Sequence, residues 1–126
     1  MSLRCLDDQR AAVVEALCET FVPGSNRTGP SAYIDALLAH MPEPAREHAI
    51  EAIDALADVA AGGPEALATR FGTPEFFMVR ALAVEAYYSD FVAPGSPGPG
   101  AWDEIDFHFP LADRVKHDWS YLGVGA

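Results

Sequence analysis

Residues 73–90 read TPEFFMVRALAVEAYYSD, and this stretch decides the fold. Thr73 offers a capping hydroxyl and Pro74 a proline in the first turn, a combination that opens helices. Phe77, Ala81, Val84, Tyr88 and Phe91 then share one face of a helix running to about Asp90. Phe76, Met78, Leu82 and Tyr87 cover much of the remainder, and only Arg80 and Glu85 interrupt the middle. A helix that is apolar nearly all round is buried on several sides. The expectation is a helical domain with this segment at its centre and Tyr88 facing the core.

Working outward, the preceding segments are amphipathic and clearly punctuated. Asp7 or Asp8 can cap a first helix ending near Phe21, with Val13, Val14, Leu17, Cys18 and Phe21 on its buried face. Pro23 and Gly24 stop it. Pro30 starts a second helix whose apolar side carries Tyr33 or Ile34, Leu37, Leu38 and Met41. Pro42 and Pro44 separate it from a third, over residues 44–61, with Ile50, Ile53, Ala57 and Ala60 inward. Glu47, Glu51, Asp54 and Asp58 stack as an acidic column away from that stripe. Gly62 and Gly63 end this helix, and a short fourth helix occupies residues 64–70.

After Val92 the composition changes. The tract APGSPGPGA excludes helix and central strand and reads as a stiff, extended connector. Beyond it, Trp102, Phe107, Phe109, Trp119 and Tyr121 are five of the chain's thirteen aromatic residues. Aromatics at that density pack back over the helices or against another protein. The predicted fold is therefore all-α. A single domain over residues 1–126 holds a bundle of about four or five helices in residues 6–91, and residues 92–126 form the connector and a packed, extended C-terminal segment.

Composition narrows function. A 126-residue chain that is half hydrophobic builds one core. Its formal net charge of -11 repels phosphate backbones and anionic membrane surfaces, so nucleic acid is a poor partner. No apolar run reaches the length of a membrane span. The start, MSLRCLDDQR, lacks the apolar core of a signal peptide, which points to a cytoplasmic protein or one exported with a partner. Cys5 and Cys18 fit neither a disulfide framework nor a metal motif, and Cys18 falls on a buried helix face.

Catalytic signatures are sparse. The acidic column has no Glu-x-x-His partner and reads as a solvated face, and His40, His48, His108 and His117 form no i, i+4 pair, so no metal is expected. No phosphate loop, dinucleotide fingerprint or nucleophile elbow occurs, so no flavin or nicotinamide is expected on this chain. The sharpest candidate lies in AWDEIDFHFP, where an extended strand would put Asp106 and His108 on one side and Phe107 and Phe109 on the other. Asp106 could orient His108 for proton transfer, with Tyr88 adding a hydroxyl and Phe91, Trp102 and Phe109 forming walls. The plainer reading is a polar clasp that ties the tail to the helices.

Two segments carry a resemblance. LCETFVPG at residues 17–24 and YYSDFVAPGSPGPGAWDEI at residues 87–105, together with YIDALLAHM at 33–41 and the alanine-rich third helix, resemble the gluconate 2-dehydrogenase subunit 3 family. That resemblance implies a helical, non-catalytic small subunit. It would stabilise, mature or escort a flavin-dependent dehydrogenase of the glucose–methanol–choline class, with FAD in the large subunit and a cytochrome c subunit for electron delivery. It implies no catalytic residues on this chain, so Trp102, Phe107, Phe109, Trp119 and Tyr121 become partner contacts. The family's export signal has no counterpart here, and the ending DWSYLGV also departs from its pattern. Two other readings stand beside it: a small cofactor-free enzyme of specialised metabolism using Asp106, His108 and Tyr88 in an aromatic pocket, and a structural homodimer.

Overall fold

The computed structural model describes residues 2–107, in which the chain forms α1 (Asp8–Phe21), α2 (Pro30–His40), α3 (Glu43–Ala55), α4 (Gly63–Ala68), α5 (Pro74–Tyr88) and the single turn α6 (Ala101–Glu104). Two 3-10 segments, Ser25–Thr28 and Ala57–Gly62, join them, and no strand occurs among the described residues. The all-α expectation is met. Asp7 caps α1 by accepting from the Arg10 N–H, and Thr73 caps α5 by accepting from the Phe76 N–H.

One core runs through the bundle. Val14, Leu17 and Cys18 of α1 meet Ile34 and Leu38 of α2, Ile53 of α3, and Val79 and Leu82 of α5. Helix α5 packs on α1, α2 and α3, most extensively on α3, so it lies centrally as expected. Its buried face, however, is Val79, Leu82, Ala83, Ala86 and Tyr87. Phe77, Val84 and Tyr88 are 47%, 38% and 60% exposed, Ala81 is also exposed, and Phe91 is half-buried. The expected inward stripe is thus the outward one, and Tyr88 does not face the core. Ala83 and Ala86 explain the inversion, because small residues let helix axes approach closely while a Phe/Tyr seam would hold them apart.

Helix α3 is also shorter than its pattern. It ends at Ala55, and Leu56 (φ -100°, ψ 0°) tightens the chain into the 3-10 segment. The freed Ala55 carbonyl accepts from Arg70 Nη1 at 2.9 Å, and Arg70 Nη2 also pairs with Asp58. Leu56 and Ala60 are buried as a result, while Ala57 is exposed and Ile50 only half-buried. The acidic column is solvent-facing throughout: Glu47, Glu51, Asp54 and Asp58 are all exposed. Arg10 grips Asp54 with two hydrogen bonds of 2.9 and 2.8 Å, and holds its carboxyl below the ordinary range.

At the α2–α3 corner, Arg46 donates to the Leu38 and Met41 carbonyls at 2.9 and 3.0 Å and closes the C-terminus of α2. Asp35, on the core side of α2, is buried. Its carboxylate accepts the backbone N–H groups of Arg4 and Cys5 at 2.8 Å and of Leu6 at 2.9 Å. The N-terminal lead is thereby fastened across α2, with Leu6 inserted in the core. No helix among the described residues is long and apolar enough to cross a membrane.

Candidate functional site

The loop that directly follows residues 17–24 meets the segment at residues 87–105 in space. The loop after α1 turns at Gly24 (φ +87°), where Glu19 accepts the Gly24 and Asn26 N–H groups at 2.7 and 3.0 Å. The chain then turns again at Gly29 (φ +69°). Across this loop lies the Pro/Gly tract, residues 92–100, as a strap. Ala93 N–H donates to the Thr28 carbonyl and Gly98 N–H to the Arg27 carbonyl, both at 2.8 Å. Strap and loop fit too tightly at Gly29 for any side chain. A Cβ there would stand 2.7 Å from both Ala93 Cβ and Ser96 Oγ.

Arg27 is the hub. Its guanidinium lies 5.5 Å over the Tyr87 ring centroid, and its Nε donates to the Pro99 carbonyl at 3.0 Å. Its Nη2 reaches the Tyr87 hydroxyl and pairs with Glu104 at 2.7 Å, while the Tyr87 hydroxyl also donates to Glu104. The Tyr87 bond, with Arg27 adding to it, holds the Glu104 carboxyl below its ordinary range. Burial, reinforced by Glu104, pushes the Tyr87 hydroxyl up, so the phenol keeps its proton. One arginine thus ties the post-α1 loop, α5, the strap and α6 together.

The strap delivers α6. Asp90 (φ +65°) accepts the Trp102 N–H at 3.0 Å, so the chain re-enters helix at Ala101. The extended segment expected here is therefore helical through Glu104 and reverses at Asp106 (φ +55°). The alignment expected of Asp106 with His108 involves a residue outside the described ones. Asp106 is exposed, and Tyr88 lies on the outer face of α5, its ring 5.1 Å from that of Tyr87. It is Tyr87, not Tyr88, that joins a polar cluster. His108, Phe109, Trp119 and Tyr121 lie outside the described residues. Of the expected partner contacts, Trp102 is half-buried and packs edge-on against Phe107 at 5.2 Å. Phe107 and the neighbouring Ile105 are 45% and 73% exposed, forming an apolar edge beside the junction.

Cavities lie elsewhere. An apolar groove of about 480 Å³ runs beside α2 between Tyr33, Leu37, His40 and Phe91, with the Tyr33 and Phe91 rings 5.5 Å apart. A smaller one of about 270 Å³ lies between Phe21, Leu67, Phe71 and Phe76. Among the described residues no set of three His, Cys, Asp or Glu side chains converges as a metal site. The Arg27 hub had no local signal in the sequence: it sits in a polar loop, and its partners are 60 to 77 residues away. Comparison of the chain with protein-family models, with curated proteins and with solved structures gives no match.

Proposed function

We propose that this protein is a non-catalytic small subunit that stabilises, matures or escorts a flavin-dependent dehydrogenase of the glucose–methanol–choline type. The observation that carries the reading is the Arg27 junction. It braces one of the segments that resemble the subunit 3 family, residues 87–105, against the loop that directly follows the other, making a cross-braced platform edged by exposed Ile105 and Phe107. Rigid aromatic and aliphatic groups on a pre-organised edge are what a protein partner engages at low entropic cost. The acidic surface favours a basic face on that partner. FAD and substrate chemistry belong to the large subunit, with a cytochrome c accepting electrons.

Co-expression with a flavin-dependent dehydrogenase of this class from the same genome tests this. The flavoprotein should be soluble and flavinated with the wild-type chain, and much less so with Phe107→Asp or Ile105→Asp, both of which leave the helical core intact. A flavoprotein equally soluble, active and flavinated without this chain removes the proposal.

A further inference from the structure

We infer that the outer face of α5 pairs with the same face of a second copy of this chain, as a short parallel two-helix seam. This rests on α5 alone and is independent of the proposed function. Phe77, Ala81, Val84 and Tyr88 follow the 4-3-4 spacing of a heptad's a and d positions, and all four are exposed. The opposite face of the helix, Val79, Leu82, Ala83 and Ala86, is already committed to the core. A narrow apolar seam of this period on solvent is the pattern of helix-to-helix pairing, and Ala81 at its middle lets two backbones come close.

Charge selects the occupant and the orientation. With Ala81 and Tyr88 at a positions and Phe77 and Val84 at d positions, Arg80 falls at g and Glu85 at the following e. In a parallel pair, g of one helix faces e of its partner five residues on, so Arg80 meets Glu85 of the second copy, twice by symmetry. An antiparallel pair would set g against g and e against e, bringing like charges together. Within one chain the two cannot satisfy each other, because they are five apart on opposite flanks of the seam. Arg80 has only Phe76, Phe77, Ala83 and Val84 at helical-neighbour spacing, and Glu85 only Ala81, Leu82, Tyr88 and Ser89. Among the described residues Arg80 makes no ion pair, and Glu85 accepts one hydrogen bond, from the Tyr33 hydroxyl at 3.2 Å. The seam spans roughly 17 Å of a 15-residue helix, below the area of an obligate dimer, so the association is weak and concentration-dependent.

Sedimentation velocity of the full chain over a wide concentration range should show reversible dimerisation. Arg80→Glu and Glu85→Arg should each weaken it about tenfold or more, and the double variant should regain it, with the helical content of every variant retained. In a Cys5→Ser background, Ala81→Cys should form a disulfide with its own counterpart, as only the parallel register allows. A chain monomeric at every concentration overturns the inference. So does a charge swap that fails to restore pairing, or an Ala81→Cys variant that does not cross-link. A chain that dimerises only after removal of residues 108–126 overturns it too, since that segment would then be the occupant. A monomer whose Val84→Glu variant loses only flavoprotein binding would assign the face to that partner and likewise sink it.

Discussion

Replacing Asp35 with Ala should destabilise the protein by about 3 kcal/mol, and the damage should begin at the N-terminal lead. The carboxylate is 5% exposed and accepts three backbone N–H groups at 2.8–2.9 Å. Hydrogen bonds to a charged group are worth roughly 1.5–3 kcal/mol each, so simple addition would give more than about 4 kcal/mol. That total is not reached, because the lead can swing away and return its N–H groups to water. The ceiling is the cost of freeing the lead, set by withdrawing buried Leu6 (about 1.5–3 kcal/mol) and half-buried Leu3 from the core. An apolar alanine leaves the pocket unfilled but creates no buried charge. About 3 kcal/mol follows, a large share of the roughly 6–19 kcal/mol typical of a chain this long.

Urea unfolding measures the loss, and hydrogen exchange locates it. The Cys5 and Leu6 amides should lose protection first, ahead of amides in α2 and α5. The pH dependence has a definite sign. Burial alone would raise the Asp35 pKa, but the N–H donors of Arg4, Cys5 and Leu6 together outweigh it and bring it below the ordinary value. A depressed folded-state pKa gives stability that is present above about pH 4 and fades as pH falls through the folded value. The gap between wild type and Asp35→Ala should therefore narrow in acid. A loss under about 0.5 kcal/mol at neutral pH, or a gap that widens in acid, refutes the reasoning.

Gly29→Ala combines a left-handed backbone with a Cβ 2.7 Å from Ala93 and Ser96, so it should cost about 2 kcal/mol and speed proteolysis within residues 92–100. Burial, with Glu15 adding to it, pushes the Cys18 thiol to about 12; an aromatic disulfide reagent at pH 8 should therefore label only Cys5 in the native protein and both thiols in denaturant. Thr73→Ala removes the 3.2 Å cap on the Phe76 N–H and should lower stability by about 1 kcal/mol in thermal melts, with Thr73→Ser recovering most of it.

The parts of this fold that are legible in the sequence are those decided by near neighbours. Asp7, the Pro23–Gly24 stop, Pro30 and the Thr73–Pro74 start each act within one turn, and the helices begin and end close to where these residues place them. The buried side of α1 is legible for the same reason: Glu15, Glu19 and Thr20 leave Val14, Leu17 and Cys18 only one way to face. Contacts made across the chain leave no such trace. Asp35 serves amides about 30 residues away, and Arg27 bridges residues drawn from three later elements. Nothing in the octets around either residue distinguishes it from an ordinary surface charge. The turn at Ala101–Glu104 is hidden in the same way. The Pro/Gly tract before it sets an extended course on local grounds, and it takes Asp90, twelve residues back, to capture the Trp102 amide and restart the helix.

Helix α5 is a different kind of failure, and a more instructive one. Its sequence has apolar residues on both sides, so periodicity cannot choose a face; weighting by size chooses Phe77 and Tyr88, the wrong one. Close packing reverses that weighting. A central helix must approach three neighbours, and the alanines at 83 and 86 permit it, while rings on the same side would add separation at every contact. The bulky residues are then displaced to solvent, where they would be a liability if they served nothing. The displaced residues keep heptad spacing, and the two charges among them sit at complementary flanks. The same excess of apolar residues that hides the core face from sequence reading is therefore what equips the opposite face for a second helix.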